Sequence, residues 1–157
     1  MIRAATPADT AAIQSLWNLA IRETLITFNA VEKSLSEVAQ AVSAYDAFFV
    51  AEGDGQVLGF AGYGDFRAGI GYAHTKEHTI MLAPEARGKG LGRALMQAVE
   101  DHARAQKVHS MIAGVSGSNP MGEPFHTAIG YVKVGMLPQA GRKFDQWHDL
   151  VLMQKLL

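Results

Sequence analysis

The sequence predicts an α/β (α+β) fold with a mixed central β-sheet and helices on both faces, and three observations favour it. Two helix start signals lie in the N-terminal third, each followed by apolar residues at helical spacing. Short apolar runs bounded by turn residues follow and are typical of strands. The predicted order is helix, helix, hairpin, strand, helix, strand, helix, strand, strand, which interleaves the two kinds of element. The 157 residues contain no repeat or linker, so we expect residues 1–157 to form a single domain.

The N-terminal elements begin at capping signals. Thr6-Pro7-Ala8-Asp9 combines a capping residue, a proline suited to a first helical position and an acidic residue at the positive end of a helix. Ser34-Leu35-Ser36-Glu37 is a capping box that opens a second helix. Residues 47–52 and 56–63 are strand-like, and the turn Gly53-Asp54-Gly55 between them predicts a hairpin.

The C-terminal half alternates strands and helices around a glycine-rich turn. Residues 78–82 form an apolar strand that Pro84 terminates, and a helical stripe then runs to about residue 106. Pro120 and Pro124 interrupt a later stretch because proline removes a backbone donor, so a short helix is expected only over residues 125–129. The remaining predicted strands are 110–115, 131–137 and 150–156.

Composition excludes several classes of function. The formal net charge is −1, which favours neither a nucleic acid nor an anionic membrane as partner. The chain has no cysteine, so disulfides, thiolate metal sites and a cysteine nucleophile are excluded. No signal peptide and no run of about 18 apolar residues stands out, so a cytoplasmic protein is expected.

The strongest functional signal is the turn Arg87-Gly88-Lys89-Gly90-Leu91-Gly92, which lies between the predicted strand 78–82 and the following helix. Glycines bring backbone N–H groups close to an anion, and the helix adds the positive end of its dipole. Arg87, Lys89 and Arg93 add three cationic side chains. The turn therefore predicts a pyrophosphate site. It fits neither the P-loop nor the dinucleotide pattern G-x-G-x-x-G, which would need glycine in place of Arg93.

The spacing of Arg87, Gly90 and Gly92 resembles the pyrophosphate-binding motif of the Gcn5-related N-acetyltransferase superfamily. The stretches 77–92 and 141–154 are similar to its phosphinothricin N-acetyltransferase branch, whose members acetylate phosphinothricin, methionine sulfoximine, methionine sulfone or related amino-acid analogues. The resemblance implies the Gcn5-related acetyltransferase fold, with a glycine-rich pyrophosphate loop between strand 4 and helix 3. It also implies transfer of an acetyl group from acetyl-CoA to the amine of a small, amino-acid-like substrate by direct attack in a ternary complex.

The resemblance assigns roles to residues at matching positions. It implies that strand backbone holds the pantetheine arm of acetyl-CoA and that the glycine-rich turn holds its pyrophosphate. Asn119 matches an asparagine that contacts acetyl-CoA, Glu77 matches a glutamate proposed as general base, and His126 stands where many members have a tyrosine near the departing sulfur. The implied cofactor-binding residues are Ile80, Met81, Leu82, Arg87, Gly88, Lys89, Gly90, Leu91, Gly92, Arg93 and Asn119.

Glu77 and His126 are the candidate catalytic residues, and each keeps alternatives. Glu77 is expected to take the proton of the substrate amine or to bind the ammonium without acting as base, and it would otherwise be a surface glutamate. His126 is expected to protonate the leaving thiolate, with Tyr131 as a rival donor and a packed helical histidine as the alternative. The backbone N–H of Leu82 is a candidate donor to the developing oxyanion.

The candidate substrate-binding residues are Phe28, Arg67, Tyr72 and Thr75. Arg67, Arg142 and Lys143 are the cations considered for a substrate carboxylate, which an arginine binds in a bidentate way, and Trp147 is a further candidate wall. Membership of the branch would also imply a homodimer, with residues 136–157 contributing to its interface.

Other functions stay open. The same fold could acetylate a polyamine, a peptide N-terminus or an antibiotic amine, or could bind acetyl-CoA without catalysing transfer. No metal is expected. His74-Thr75-Lys76-Glu77-His78 matches the zinc motif H-x-x-E-H, but that motif works on a helix. On the strand expected here the two histidines would lie about 13 Å apart, too far to share one metal.

Overall fold

The computed structural model describes residues 1–157 as a seven-stranded sheet with four α-helices. The strands are β1 (Ile2–Ala4), β2 (Ala47–Gly53), β3 (Gln56–Asp65), β4 (Thr75–Leu82), β5 (Ser110–Ser116), β6 (Val132–Lys143) and β7 (Gln146–Leu156). The helices are α1 (Thr10–Glu23), α2 (Leu35–Ala44), α3 (Leu91–Ala105) and α4 (Gly122–Ala128). None of these helices combines the length and the apolar character that crossing a membrane requires. The predicted mixed sheet is confirmed.

The sheet has the strand order β1-β2-β3-β4-β5-β7-β6, and only β4 and β5 run parallel to each other. Their ladder joins Thr75–Glu77 to Ser110–Ile112 and then stops. Beyond that point β4 pairs only with β3, and β5 pairs only with β7. The sheet therefore opens between β4 and β5 toward the carboxyl ends of both strands.

Two hydrophobic cores lie on the two faces of the sheet, as the prediction of helices on both faces requires. On one face α1 and α2 pack against β2 to β4, with Trp17 and Phe60 in contact at a ring-centroid distance of 5.2 Å. On the other face α3 buries Leu95 and Val99 against the central strands. Because successive strand residues point to opposite faces, Met81 of β4 joins the first core, while its neighbours on either side pack against the second.

The predicted helix starts are confirmed. Thr6 caps a short 3-10 turn at Pro7–Asp9 that leads into α1. At the second helix the Ser34 hydroxyl accepts a hydrogen bond of 3.1 Å from the backbone N–H of Glu37. No local signal predicts β1, which is only three residues long and is defined by its pairing with β2.

Several boundaries differ from the sequence prediction. The strands β4 and β7 begin at Thr75 and Gln146, three and four residues earlier than expected, and two further differences involve proline. The helix α4 begins at Gly122, three residues earlier than expected, because Pro124 is its third residue, where the backbone has no intrahelical hydrogen bond to lose. The strand β6 continues past Pro138 to Lys143. Its ladder with β7 shifts register between Leu137 and Gly141, so Pro138 lies in an irregularity of the ladder.

Candidate active site

The opening between β4 and β5 holds a cavity of about 840 Å³ that reaches both faces of the sheet. On the α1–α2 face its wall includes Trp17, Phe28 and Glu77, and on the α3 face it includes Leu82 and His126. Cavities of this size are typical of ligand sites. Two ligands that enter from opposite faces would therefore meet inside the sheet.

The edge of β4 that faces the cavity carries unpaired backbone groups. Ala83 donates its N–H to β3, and in an antiparallel pair alternate residues hydrogen bond to the same neighbour. Ile80 and Leu82 therefore direct their N–H and C=O groups away from β3, toward the side where the ladder with β5 has ended. Both residues line the cavity, so strand backbone is available there to an extended ligand.

Glu77 is an acidic side chain without a partner on the α1–α2 side of the cavity. It is the last residue of β4 that pairs with β5, and a Cβ placed on Gly114 of β5 would come within 3.0 Å of its Oε2. Burial raises the pKa of Glu77, and no neighbouring cation opposes this change. Asp65, which also lines the cavity, is instead bound to Lys76 at 2.7 Å. A carboxyl group with a raised pKa is better suited to accept a proton from an amine.

The loop between α1 and α2 forms the outer wall of the cavity on this side. Phe28 of this loop lines the cavity and stacks on His148, with ring centroids 5.7 Å apart. It also packs directly on Gly141 of β6, where a Cβ would lie 2.5 Å from the aromatic ring. Gly141 therefore permits the close approach that places Phe28 in the wall.

Lys143 fastens the same loop to β6. Its buried ammonium donates to the carbonyl oxygens of Thr24 and Thr27 at 2.6 and 2.8 Å, and burial lowers its pKa. Arg142 stacks instead on Trp147, with its guanidinium 4.7 Å from the ring centroid, and both side chains are exposed outside the cavity. Neither cation is free inside the cavity to bind a substrate carboxylate.

Lys33 is a cationic wall residue that the sequence analysis missed. Its ammonium lies 5.0 Å from the centroid of the Trp17 ring, and both residues line the cavity. Asn18 of α1 holds the Lys33 backbone through two hydrogen bonds of 2.8 and 3.0 Å. The sequence did show that Lys33 directly precedes Ser34, the N-cap of α2, and therefore lies at the end of the loop that bears Phe28.

The glycine-rich turn leads from β4 into α3 as predicted. Gly88 and Gly90 have φ values of +73° and +82°, and nothing lies within 4 Å of the position a Cβ would take at either residue. Gly90 is the N-cap of α3 and provides no capping side chain, so the first N–H groups of the helix are free for a ligand. Arg87 and Gly88 line the cavity.

The rest of the turn supports this open surface. Lys89 is exposed, and Leu91 begins α3. Gly92 is buried, and a Cβ there would lie 3.0 Å from Phe125, so its lack of a side chain lets α4 pack against the start of α3. Arg93 donates to the carbonyl oxygen of Ala128 at 3.0 Å and thus binds the end of α4.

His126 lies at the cavity, but both of its ring nitrogens are hydrogen bonded. Its Nδ1 lies 2.7 Å from the carbonyl oxygen of Gly122, which can only accept, so Nδ1 carries the proton. In the neutral ring Nε2 is then an acceptor, and it accepts a hydrogen bond of 3.0 Å from the Nε2–H of His78. Burial lowers the pKa of both histidines, which favours this neutral pair. Tyr131 contacts both rings edge-on and lies outside the cavity wall.

Three predicted substrate residues lie outside the cavity. Arg67 and Tyr72 belong to the exposed segment between β3 and β4, where the guanidinium lies 5.8 Å from the Tyr72 ring, and Thr75 pairs with Ser110 at the closed end of the ladder. The structure brings together around one cavity the predicted residues Phe28, Glu77, Ile80, Met81, Leu82, Arg87, Gly88, Asn119 and His126. It places Lys89, Gly90, Leu91, Gly92 and Arg93 in the adjoining turn and the start of α3.

The H-x-x-E-H segment lies on a strand, as expected. His74 precedes β4, and its Nδ1 contacts the carbonyl oxygen of Lys107 at 2.9 Å. His78 lies within β4, is buried and is hydrogen bonded to His126. The two histidines therefore have separate partners.

The sheet opens between two parallel strands, with an uncapped helix start on one face and an unpaired carboxylate on the other, and this arrangement fits an acyltransferase. The chain belongs to the acetyltransferase (GNAT) family, whose family model matches residues 13–131. The resemblance indicated by the motifs is thereby confirmed.

Individual relatives agree with this assignment. The chain is 36% identical to L-methionine sulfoximine/L-methionine sulfone acetyltransferase of Pseudomonas paraeruginosa, over 98% of this chain and 92% of that protein. A crystal structure of ribosomal-protein-alanine N-acetyltransferase from Brucella melitensis is 38% identical, with a TM-score of 0.95 and coverage of 100% of this chain and 99% of that one. A phosphinothricin acetyltransferase from Sinorhizobium meliloti, solved in complex with AcCoA, is 30% identical, with a TM-score of 0.94 and coverage of 100% and 88%.

Proposed function

We propose that this protein is an N-acetyltransferase that moves the acetyl group of acetyl-CoA to the amine of a small, amino-acid-like substrate of the methionine sulfone, methionine sulfoximine or phosphinothricin type. The observation that carries the proposal is the cavity between β4 and β5. It joins free strand backbone and an open helix start on one face to the unpaired carboxylate of Glu77 on the other. The names of the Pseudomonas and Sinorhizobium relatives support the substrate class.

The residues of the chain fit acetyl-CoA. The turn from Arg87 to Arg93 suits the pyrophosphate, because two of its glycines leave the backbone open and the start of α3 has no competing cap. The backbone of Ile80–Leu82 suits the amide groups of the pantetheine arm, and Asn119 lines the cavity beyond it. When bound, acetyl-CoA supplies an acetyl group activated as a thioester. The proposed reaction uses no metal ion.

Glu77 is the proposed base. A substrate ammonium must lose a proton before its nitrogen can attack, and the Glu77 carboxylate accepts that proton directly or through water. The backbone N–H of Leu82 donates to the acetyl oxygen as negative charge develops on it. The amine nitrogen forms the new C–N bond, the C–S bond breaks, and the sulfur leaves as a thiolate.

The proton donor to this thiolate is a separate question. His126 was predicted to fill this role, and that role stays a prediction. Its neutral ring has one nitrogen bound to Gly122 and the other to His78, which favours the alternative of a histidine packed against the sheet.

The test is thiol release from acetyl-CoA with a panel of amines. The panel contains methionine sulfone, methionine sulfoximine, phosphinothricin, common amino acids, spermidine and an alanine-terminated peptide. We expect turnover with the first three. Turnover only with the peptide, the kind of activity for which the Brucella neighbour is named, or only with spermidine would overturn the substrate class. Binding of acetyl-CoA without any turnover would favour a non-catalytic module.

We further propose that the chain forms a homodimer through the β6–β7 hairpin. β6 is an edge strand, and it exposes Val132, Val134 and Met136, each with about half or more of its surface accessible. Apolar side chains along an exposed edge favour association. Sedimentation equilibrium should give a dimer for the native chain and a monomer for Val134→Lys. A monomeric native chain would refute the proposal.

Residues 1–157 are proposed to fold as one domain in the cytoplasm. The two cores share one sheet, so removing the helices from either face would expose apolar residues of the shared strands. A single cooperative unfolding transition seen by both tryptophan fluorescence and circular dichroism is expected. Cell fractionation would test the location.

A further inference from the structure

The substrate side of the cavity carries one unpaired anion and one unpaired cation. Glu77 is the anion, since Asp65 is already bound to Lys76. Lys33 is the cation, and it is the only lysine or arginine of the cavity wall on the α1–α2 face. The other cation of the wall, Arg87, belongs to the turn before α3 on the far side of the sheet.

The position of Lys33 is fixed by its surroundings. Its backbone is held to α1 by Asn18, and its side chain lies along Trp17, with the ammonium 5.0 Å from the ring centroid. This cation–π contact holds the ammonium at the wall without neutralising it. No salt bridge joins Lys33 to Glu77, and both line the same cavity.

We propose that Lys33 binds the carboxylate of the substrate and thereby favours free amino acids over amines that lack a carboxylate. The inference rests on the proposed function, because it takes the amine that receives the acetyl group to lie at Glu77. A zwitterion matches the two unpaired charges, with its ammonium at Glu77 and its carboxylate at Lys33. A polyamine would be repelled by Lys33, and the first residue of a peptide carries an amide in place of the carboxylate.

The test crosses enzyme variants with a matched pair of substrates, L-methionine sulfone and its carboxamide. Lys33→Met removes the charge and keeps a side chain on Trp17, Lys33→Arg keeps a charge, and Lys107→Met removes an exposed charge at the end of α3. For each variant kcat and KM are measured with both substrates. The dissociation constant for acetyl-CoA, measured by calorimetry, reports whether the fold is intact.

We expect the native enzyme to prefer the acid, and Lys33→Met to lower kcat/KM for the acid by about 10- to 100-fold, mainly through KM. The carboxamide should be affected by less than about twofold, because a neutral amide gains little from a cation. Lys33→Arg should keep most of the preference for the acid. Lys107→Met should match the native enzyme on both substrates.

Equal losses on acid and carboxamide in Lys33→Met would show a structural role and overturn the inference, as would an unchanged kcat/KM for the acid. A native enzyme that acetylates only amines lacking a carboxylate would overturn the role of Lys33 and leave N-acetyl transfer intact. A native enzyme that acetylates no amine would overturn the proposed function itself, and the inference with it.

Discussion

Replacing Gly141 with alanine should displace Phe28 from the wall of the cavity. The added Cβ would lie 2.5 to 2.7 Å from three carbons of the Phe28 ring, far inside van der Waals contact, so the ring must move. His148 is the cross-strand partner of Gly141 and stacks on the same ring, so moving the ring also disturbs this contact. Overpacking of this kind costs about 1–3 kcal/mol in the free energy of unfolding. Because Phe28 lines the cavity, a similar cost in substrate binding would raise KM by about 5- to 100-fold.

The assay compares urea unfolding and KM for methionine sulfone between the native enzyme and four variants. Gly135→Ala is the matched control, because Gly135 lies on the same strand with no atom within 4 Å of a Cβ position, and it should change stability by no more than about 0.5 kcal/mol. Phe28→Ala removes the ring, and the double variant Phe28→Ala/Gly141→Ala tests whether the clash is the cause. Acetyl-CoA binding should stay unchanged in all four.

The double-mutant cycle tests whether contact with the Phe28 ring causes the loss of stability. If the clash with Phe28 causes the loss, Gly141→Ala should cost almost nothing once the ring is absent, which gives a coupling energy of about 1–3 kcal/mol. An equal cost of Gly141→Ala with and without the ring would show that the contact with Phe28 is not the cause. The same conclusion would follow if Gly135→Ala destabilised the protein as much as Gly141→Ala does.

Three further predictions concern the histidine pair, the loop clamp and the glycine-rich turn. Burial lowers the pKa of His78 and His126 below the unfolded value of 6.5, so the unfolded chain binds more protons below that pH and stability is lost as the pH falls. The urea-derived free energy of unfolding should then fall by up to about 1.4 kcal/mol per pH unit for each histidine, and His126→Gln should flatten this slope. Lys143→Met leaves two loop carbonyl oxygens without their donor, so we expect the free energy of unfolding in urea to fall by about 1–3 kcal/mol. KM should rise while kcat stays nearly unchanged. Unchanged stability would show that Lys143 does not hold the loop in place. Gly90→Ala and Gly55→Ala both place a side chain at positive φ, so each should lower the free energy of unfolding by about 1–2 kcal/mol. Calorimetry should find weaker acetyl-CoA binding only for Gly90→Ala.

The parts of the fold that the sequence predicted are those with local causes. The capping box at Ser34, the hairpin turn at residues 53–55 and the helix after the glycine-rich turn each depend on neighbouring residues and are found where expected. The extent of β6 was missed because it depends on the ladder with β7, which accommodates Pro138 by a shift in register. The strand β1 was missed for the same reason, since only its partner β2 makes three residues a strand.

The candidate site also contains residues that local sequence predicts and residues that depend on distant contacts. Glu77 and the turn at residues 87–93 were found because a strand and a helix start each leave a signal in consecutive residues. The burial of Lys143 could not be predicted, because its ammonium binds a carbonyl oxygen 119 residues away in the chain. Lys33 was overlooked for a related reason: nothing in the local sequence shows that its loop closes over the opening between β4 and β5.

The role of Glu77 as proton acceptor is tested by a side-by-side measurement of native enzyme and Glu77→Gln with methionine sulfone and acetyl-CoA. Glutamine keeps the shape of the side chain and removes its ability to accept a proton. If Glu77 is the base, kcat should fall by about 100-fold or more, while acetyl-CoA binds as before. A Glu77→Gln enzyme that keeps kcat within about threefold of the native value would show that Glu77 is not the base.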